Sequence, residues 1–305
     1  MGRYVAHRLL LTLPVLAGIL FVSFFFTHLS GDPTDLMLPP SATEAARAAF
    51  RAVHGLDRPL LEQFATFCLN VGRGDFGLSL RFEEPAMQLV VERLSATTEL
   101  AVGAMAFALV LGIPAGVISA SRHNSVADSA IRGLTMLGQA VPSFYLGVIG
   151  ILVFAVWLRW LPTGGRGSPA HLVLPAVTLG FNLVALIARV TRAAMLDVLR
   201  QDYIRTARAK GLSEWLVIWS HALRNAFIPV LTVIGLQVGV VMGGVVVIET
   251  IFSWPGVGRL AIQAIYARDF PVVQAVVFLF AIIFVLVNLA VDLLYAALDP
   301  RIGLR

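Results

Sequence analysis

Lysine, cysteine and charged residues in general are scarce in this sequence of 305 residues. Lys210 is the one lysine among 23 basic residues, and Gly211 follows it. A nucleotide-binding P-loop ends in Gly-Lys-Ser/Thr because backbone amides and the lysine hold the phosphates, so the chain has no such loop. Cys68 is the one cysteine, which excludes an intrachain disulfide and a Cys/His metal framework. The six histidines share no ligand spacing, and we expect no metal site.

The composition points to a membrane protein. Charged residues make up 13% of the chain and hydrophobic residues 58%, with a mean hydropathy of +0.84, whereas soluble domains contain about 25% charged residues. The net charge is +5, but the basic residues stand at the ends of apolar runs and form no basic stripe. This distribution argues against nucleic-acid binding and favours a role in membrane topology.

Six apolar runs predict an all-α polytopic membrane protein with about six transmembrane helices. They approach the roughly 20 residues that cross a bilayer, and they cover residues 9–26, 100–118, 141–158, 172–188, 227–248 and 272–298. The first run follows Arg3 and Arg8, as in a secretory signal peptide. It exceeds a typical signal core and lacks a convincing small-x-small cleavage site, so we expect a membrane anchor.

The distribution of Lys and Arg predicts that both termini are cytoplasmic. Seven of these residues lie between Arg189 and Arg224, while the short loops on the other side of the membrane hold four, and positive residues resist translocation. The predicted organisation is a cytoplasmic N-terminus and first transmembrane helix (1–30), an extracytoplasmic cap segment (31–97), a core with five transmembrane helices (98–298) that includes a cytoplasmic loop (195–226), and a cytoplasmic tail (299–305).

The cytoplasmic stretch 202–215 predicts a helix, a turn and a second helix. Residues 203–210 are mostly helix formers, Gly211 suits a helix C-terminus with a positive backbone φ, and Ser213 can cap the next helix. Such a stretch could transmit motion as a rigid element. The alternative from spacing alone is a basic amphipathic connector that rests on anionic lipid headgroups.

Several segments resemble the permease subunits of binding-protein-dependent ABC importers. The loop signature of that family is Glu-Ala-Ala, three residues and then Gly; Arg205-Thr206-Ala207 and Gly211 occupy these positions, with departures at the first two. The loop and the segment from His221 to Pro229 are similar to the dipeptide and oligopeptide (peptide/nickel) branch. Further segments that agree with this branch are Gly31-Asp32-Pro33, His54 to Pro59, Gly74-Asp75-Phe76-Gly77-Leu78-Ser79, Val141-Pro142-Ser143-Phe144, Glu249 to Gly258, and Arg268-Asp269-Phe270-Pro271.

The resemblance implies a type I ABC importer permease, a non-catalytic multi-pass subunit of the cell (cytoplasmic/inner) membrane. The implied partners are a second homologous permease, two ATPase subunits that bind ATP and Mg²⁺, an extracytoplasmic substrate-binding protein and the lipid bilayer. Dipeptides or oligopeptides are the implied substrates, with nickel complexes or glutathione as alternatives. In that family the cytoplasmic loop docks a short coupling helix onto the ATPase. The residues so implied are Tyr203, Arg205, Thr206, Ala207, Arg208, Lys210, Gly211 and Glu214.

Polar and small residues inside the predicted spans are candidates for a pathway or for a contact between helices. Gln139, Asn182, Gln237 and Asn288 could bind a peptide backbone, although hydrogen bonds between helices are the simpler role. Gly235, Gly239 and Gly243 repeat every four residues, as in the Gly-x-x-x-Gly faces that let helices approach closely. This ridge suits either an internal contact or a seam with a second permease.

Two rival functions predict other features. An ion-driven secondary transporter usually carries buried charges or broken helices near the midplane. An intramembrane hydrolase needs a nucleophile and a base within its spans. The sequence patterns indicate neither, so an ABC importer permease is the expected function.

Overall fold

The computed structural model describes residues 2–29, 34, 38 and 41–298, and in this part of the chain the regular structure is helical. The helices are α1 (Gly2–Leu29), α2 (Glu44–His54), α3 (Leu60–Gly72), α4 (Ala86–Ser121), α5 (Val126–Ala140), α6 (Ser143–Trp157), α7 (Pro169–Leu199), α8 (Asp202–Ala209), α9 (Glu214–Ile251), α10 (Val257–Tyr266) and α11 (Phe270–Leu298). Beside them lies an isolated antiparallel bridge between Leu78 and Pro85. The predicted all-α fold is confirmed.

Long apolar helices lie at the positions of the predicted spans. Among the described residues, α4, α7, α9 and the stretch Phe270–Val291 of α11 are long and apolar enough to cross a membrane. The apolar stretch Leu10–Phe26 in α1 is shorter. Because lipid offers no hydrogen bonds to the backbone, such segments satisfy their polar groups within helices.

The predicted third span is part of a bent helix pair. Helices α5 and α6 together are long and apolar enough to cross a membrane, but the pair is bent by 99° at the break between them. The chain turns at Val141, which is extended with φ −88° and ψ 123°, and Pro142 follows. Proline disfavours a helical conformation in the residue before it, so α5 ends there. The last seven residues of α6, Ile151–Trp157, form a π-helix.

The chain divides into two compact units, each with its own apolar core. The first unit comprises Met1–Ser95 and Gly256–Leu286, and the second comprises Ala96–Pro255 and Val287–Leu304. The core of the first contains Phe76, Val90, Leu260 and Val272, together with Leu20 of α1.

The first unit joins two motifs that are far apart in sequence. Ser79, from the Gly-Asp-Phe-Gly-Leu-Ser segment, donates a hydrogen bond to the carboxylate of Asp269, and both side chains are buried. Gly77 has a φ of +88°, a left-handed conformation that favours glycine. The two segments therefore pack together within the first unit.

In the second unit, three hydrogen bonds hold the end of α9 and the segment that follows it. Trp254 is fully buried, and its indole Nε1 donates a hydrogen bond of 2.8 Å to the carbonyl of Ala96. Thr97 donates a hydrogen bond of 2.6 Å to the buried carboxylate of Glu249. The backbone of Gly165 donates to the carbonyl of Phe252 at 2.8 Å. These bonds keep the irregular segment after α9 rigid and satisfy its buried polar groups.

Candidate functional site

The helix, turn and second helix predicted for residues 202–215 are formed by α8, a turn and the start of α9. Gln201 is extended at the N-cap, and Asp202 and Arg208 stand in the first and last turns of α8. This order suits the helix dipole, which favours acidic groups at the N-terminus and basic groups at the C-terminus.

The turn after α8 depends on a left-handed glycine. Gly211 has a φ of +76°, its amide donates to the carbonyl of Arg208 at 3.0 Å, and the amide of Leu212 donates to the carbonyl of Ala207 at 3.4 Å. These two bonds make a Schellman motif with Gly211 at its left-handed position. A Cβ added at Gly211 would meet nothing within 4 Å. Glycine is therefore needed for backbone conformation and not for space.

The inner face of α8 packs against the other helices of the second unit. Ile204 and Ala207 are buried and belong to an apolar cluster whose other members include Val117, Met195 and Val217. Ala207 therefore packs inward and is not a surface residue. The remaining predicted coupling residues are exposed: Tyr203, Arg205, Thr206, Arg208, Lys210, Gly211 and Glu214.

Ion pairs and hydrogen bonds order this exposed face. Arg208 donates to both carboxylate oxygens of Glu214, at 3.1 and 2.6 Å, across the turn. The hydrogen bond to Glu214 raises the pKa of Arg208. Arg205 pairs with Asp202 at 3.3 Å. Exposed pairs contribute at most about 1 kcal/mol each to stability, so their main effect is to hold the charged face in shape.

Three of the predicted pathway residues converge on one pocket in the second unit. The pocket has a volume of about 270 Å³. Its polar lining comprises Gln139, Ser143, Asn182 and Gln237, and its apolar lining comprises Leu179, Leu183, Leu186, Val240, Val241 and Gly244. Asn182 Oδ1 is buried and has no hydrogen-bond partner among the described residues. The Gln139 side chain accepts a hydrogen bond of 2.8 Å from Arg189 on α7.

The other predicted pathway residues do not line this pocket. Asn288 lies on α11 and is half-buried. The three glycines of the ridge on α9 have different surroundings. A Cβ added at Gly235 would lie 2.5 Å from Val291 Cγ2. Gly239 is half-buried, and Gly243 is exposed with nothing within 4 Å of an added Cβ. Gly235 thus forms an internal helix contact, while the exposed side of the ridge at Gly243 does not.

Sequence reasoning missed a buried charge network near the N-terminus of α5. Asp128 is fully buried and accepts hydrogen bonds from Ser119 (2.5 Å), from the Asn124 backbone (3.0 Å) and from two nitrogens of Arg192 (2.8 and 2.9 Å). The local signal was Ser125, which caps α5 through the Asp128 amide. The pairing with Arg192, 64 residues later, has no signal in the local sequence.

The described residues contain no group of three or more His, Cys, Asp or Glu side chains that could hold a metal ion. The polar groups of the pocket are amides and a hydroxyl, with one guanidinium beside them. Such groups bind by hydrogen bonding and charge.

Known proteins similar to this chain are membrane transport components. The sequence profile of a family described as "Binding-protein-dependent transport system inner membrane component" matches residues 112–304. The glutathione transport system permease protein GsiC of Escherichia coli (strain K12) is 44% identical over 303 residues, 99% of each chain. The dipeptide transport system permease protein DppB of Alkalihalophilus pseudofirmus is 42% identical over 331 residues, also 99% of each chain.

Two solved structures share the fold. An inward-facing structure of the MetNI methionine ABC transporter contains a chain with a TM-score of 0.60 and 20% identity, covering 70% of this chain and 97% of that one. The crystal structure of an amino acid ABC transporter with histidines has a TM-score of 0.54 and 14% identity, covering 69% of this chain and 94% of that one.

Proposed function

Since the chain belongs to the family of binding-protein-dependent transport system inner membrane components, we propose that it forms half of a membrane pathway for short peptides. Permeases of the peptide and glutathione branch of ABC importers are multi-pass proteins of the inner membrane, and this chain is one of them. The substrate, the partner subunits and the route of energy transfer are the parts that we propose.

Short peptides, including dipeptides and the tripeptide glutathione, are the proposed substrates. The relatives named for glutathione and for dipeptides match this chain over almost its whole length. A peptide that leaves water needs new hydrogen bonds for its amide groups, and the amides of Gln139, Asn182 and Gln237 meet this need. Nickel complexes remain the other alternative substrate.

The energy source is proposed to lie in other chains. The sequence has no Gly-Lys-Ser/Thr end of a P-loop, so ATP and Mg²⁺ are assigned to two cytoplasmic ATPase subunits. A second homologous permease supplies the other half of the pathway, and an extracytoplasmic binding protein delivers the substrate. This chain itself performs no covalent chemistry.

The construction of α8 is the observation that carries this proposal. Its inner face, at Ile204 and Ala207, is packed into the apolar cluster, while its outer face is exposed and charged. A helix held in this way passes a displacement of its outer face to the helices behind it. ATP-driven closure of the ATPase pair then opens the pathway outward, and hydrolysis resets it inward.

Reconstitution tests the energy source. The chain is purified with its ATPase, second-permease and binding-protein partners, and uptake of radiolabelled dialanine or glutathione into proteoliposomes is measured. We expect uptake with ATP and the binding protein, and none with a proton or sodium gradient alone. Uptake driven by a gradient without the ATPase would favour the secondary transporter. The bent α5–α6 pair is a broken helix of the kind such transporters use, so this comparison is informative.

Cross-linking tests the coupling helix directly. In a Cys68→Ser background, the Lys210→Cys variant places a thiol on the exposed turn after α8. We expect it to cross-link to an ATPase subunit, whereas Val53→Cys, an exposed position in the cap segment, does not. Equal cross-linking of both thiols, or none from position 210, would contradict the assignment of α8.

A further inference from the structure

Arg189 lies one residue beyond the predicted span 172–188, and its side chain is exposed. It lies on α7, seven residues after Asn182, and residues with this spacing share a helix face. Its Nη1 donates a hydrogen bond of 2.8 Å to Oε1 of Gln139, and Gln139 and Asn182 line the same pocket. The guanidinium is therefore held beside the pocket, on the side formed by Gln139.

The charge of Arg189 has no carboxylate partner among the described residues. Other arginines of the second unit do have one: Arg192 pairs with Asp128 at 2.8 Å, and Arg166 with Glu99 at 2.7 Å. The hydrogen-bond partner of Arg189 is the neutral amide of Gln139. A guanidinium prefers a carboxylate, which it binds through two parallel N–H groups.

The rest of the pocket suits the amide groups of a small solute. Asn182 Oδ1 is buried without a described partner, and an unpaired buried acceptor costs about 1–3 kcal/mol. A peptide N–H placed there would remove this cost. The volume of about 270 Å³ lies just below the range of ~300–1,000 Å³ for small-molecule pockets. A pocket of this volume accommodates a solute of a few residues.

We propose that Arg189 binds the carboxylate of the transported solute, while Asn182 and Gln237 bind its amide groups. Gln139 holds the guanidinium until the incoming carboxylate takes its place. Arg189 is thus a specificity-determining residue for solutes with a free carboxylate. This assignment rests on the proposed function, because it requires that the pocket lie on the import pathway.

Four variants test the assignment in the reconstituted complex, with uptake of dialanine and glutathione and ATP hydrolysis stimulated by the binding protein as readouts. Arg189→Gln removes the charge, and Arg189→Lys keeps it. Gln139→Ala breaks the contact between helices but keeps the charge. Arg122→Gln removes an exposed charge from the turn between α4 and α5, outside the pocket. We expect Arg189→Gln to lower uptake at least tenfold, while ATP hydrolysis stays within twofold of the wild type.

The conservative variants separate binding from packing. Arg189→Lys and Gln139→Ala should each retain several times more uptake than Arg189→Gln, and Arg122→Gln should match the wild type. Normal uptake by Arg189→Gln would overturn the assignment. So would a Gln139→Ala variant that is as inactive as Arg189→Gln, because the bond between the helices would then be the important feature. A wild-type complex that accumulates neither solute with ATP would instead overturn the proposed function itself.

Discussion

Replacement of Gly211 tests whether the turn after α8 is held by backbone conformation alone. The residue has a φ of +76°, and a Cβ there would meet no atom within 4 Å. An alanine therefore adds no steric clash. It does add the cost of placing an L-residue in the left-handed region, about 1–2 kcal/mol. Asparagine visits this region routinely, so it should bear less of that cost.

One to two kcal/mol corresponds to a factor of about 5–30 in an equilibrium. The population of α8 that is followed by the native turn should fall by this factor in Gly211→Ala, more in Gly211→Val and less in Gly211→Asn. Uptake driven by ATP should follow the same order, because the ATPase must meet α8 in its native position. The assay is uptake per molecule inserted, measured together with ATP hydrolysis stimulated by the binding protein.

One further variant tests the effect of an added charge separately from that of backbone conformation. Gly211→Asp keeps the tolerance for the left-handed conformation, but it adds a negative charge to the exposed turn, three residues before Glu214. We expect it to uncouple hydrolysis from uptake more strongly than Gly211→Asn while the protein still inserts. Gly133→Ala, at an exposed helical glycine with nothing within 4 Å of its Cβ, serves as the control. Full uptake by Gly211→Ala, or equal damage in the Asn and Val variants, would refute the conformational argument.

Two further predictions concern stability, measured as the thermal unfolding midpoint in detergent. Asp128→Asn leaves Arg192 without its carboxylate partner. It should lower the free energy of unfolding by about 3 kcal/mol, which is the low end for breaking a buried pair because Arg192 is partly exposed. Adding Arg192→Gln should recover part of this loss, and a midpoint equal to that of the wild type would contradict the prediction. Gly180→Ala places a Cβ 2.7 Å from the carbonyl oxygen of Ala104 and should lower the free energy of unfolding by about 1–3 kcal/mol through overpacking. The control Gly133→Ala should be neutral or stabilising. A Gly180→Ala variant as stable as the wild type would show that α4 and α7 can separate freely.

The local pattern of the chain determined much of the structure. Apolar runs in lipid are helical, because lipid cannot satisfy a backbone in any open form. Helices lie at all six predicted positions, and among the described residues four of them are by themselves long and apolar enough to cross a membrane. The turn at Gly211 was also predictable, because the left-handed conformation is a property of one residue. Each of these features depends on neighbours within a few positions.

Contacts between distant segments were decided by the tertiary structure alone. Asn182 and Gln237 share a pocket with Gln139, while Asn288 does not, and Asp128 pairs with Arg192 across 64 residues. Hydrophobicity shows that a helix is buried in lipid, but it does not state which face meets which neighbour. That choice depends on the crossing of helices, on small residues that permit close approach and on the bend at Val141, which become defined only when all the helices pack together.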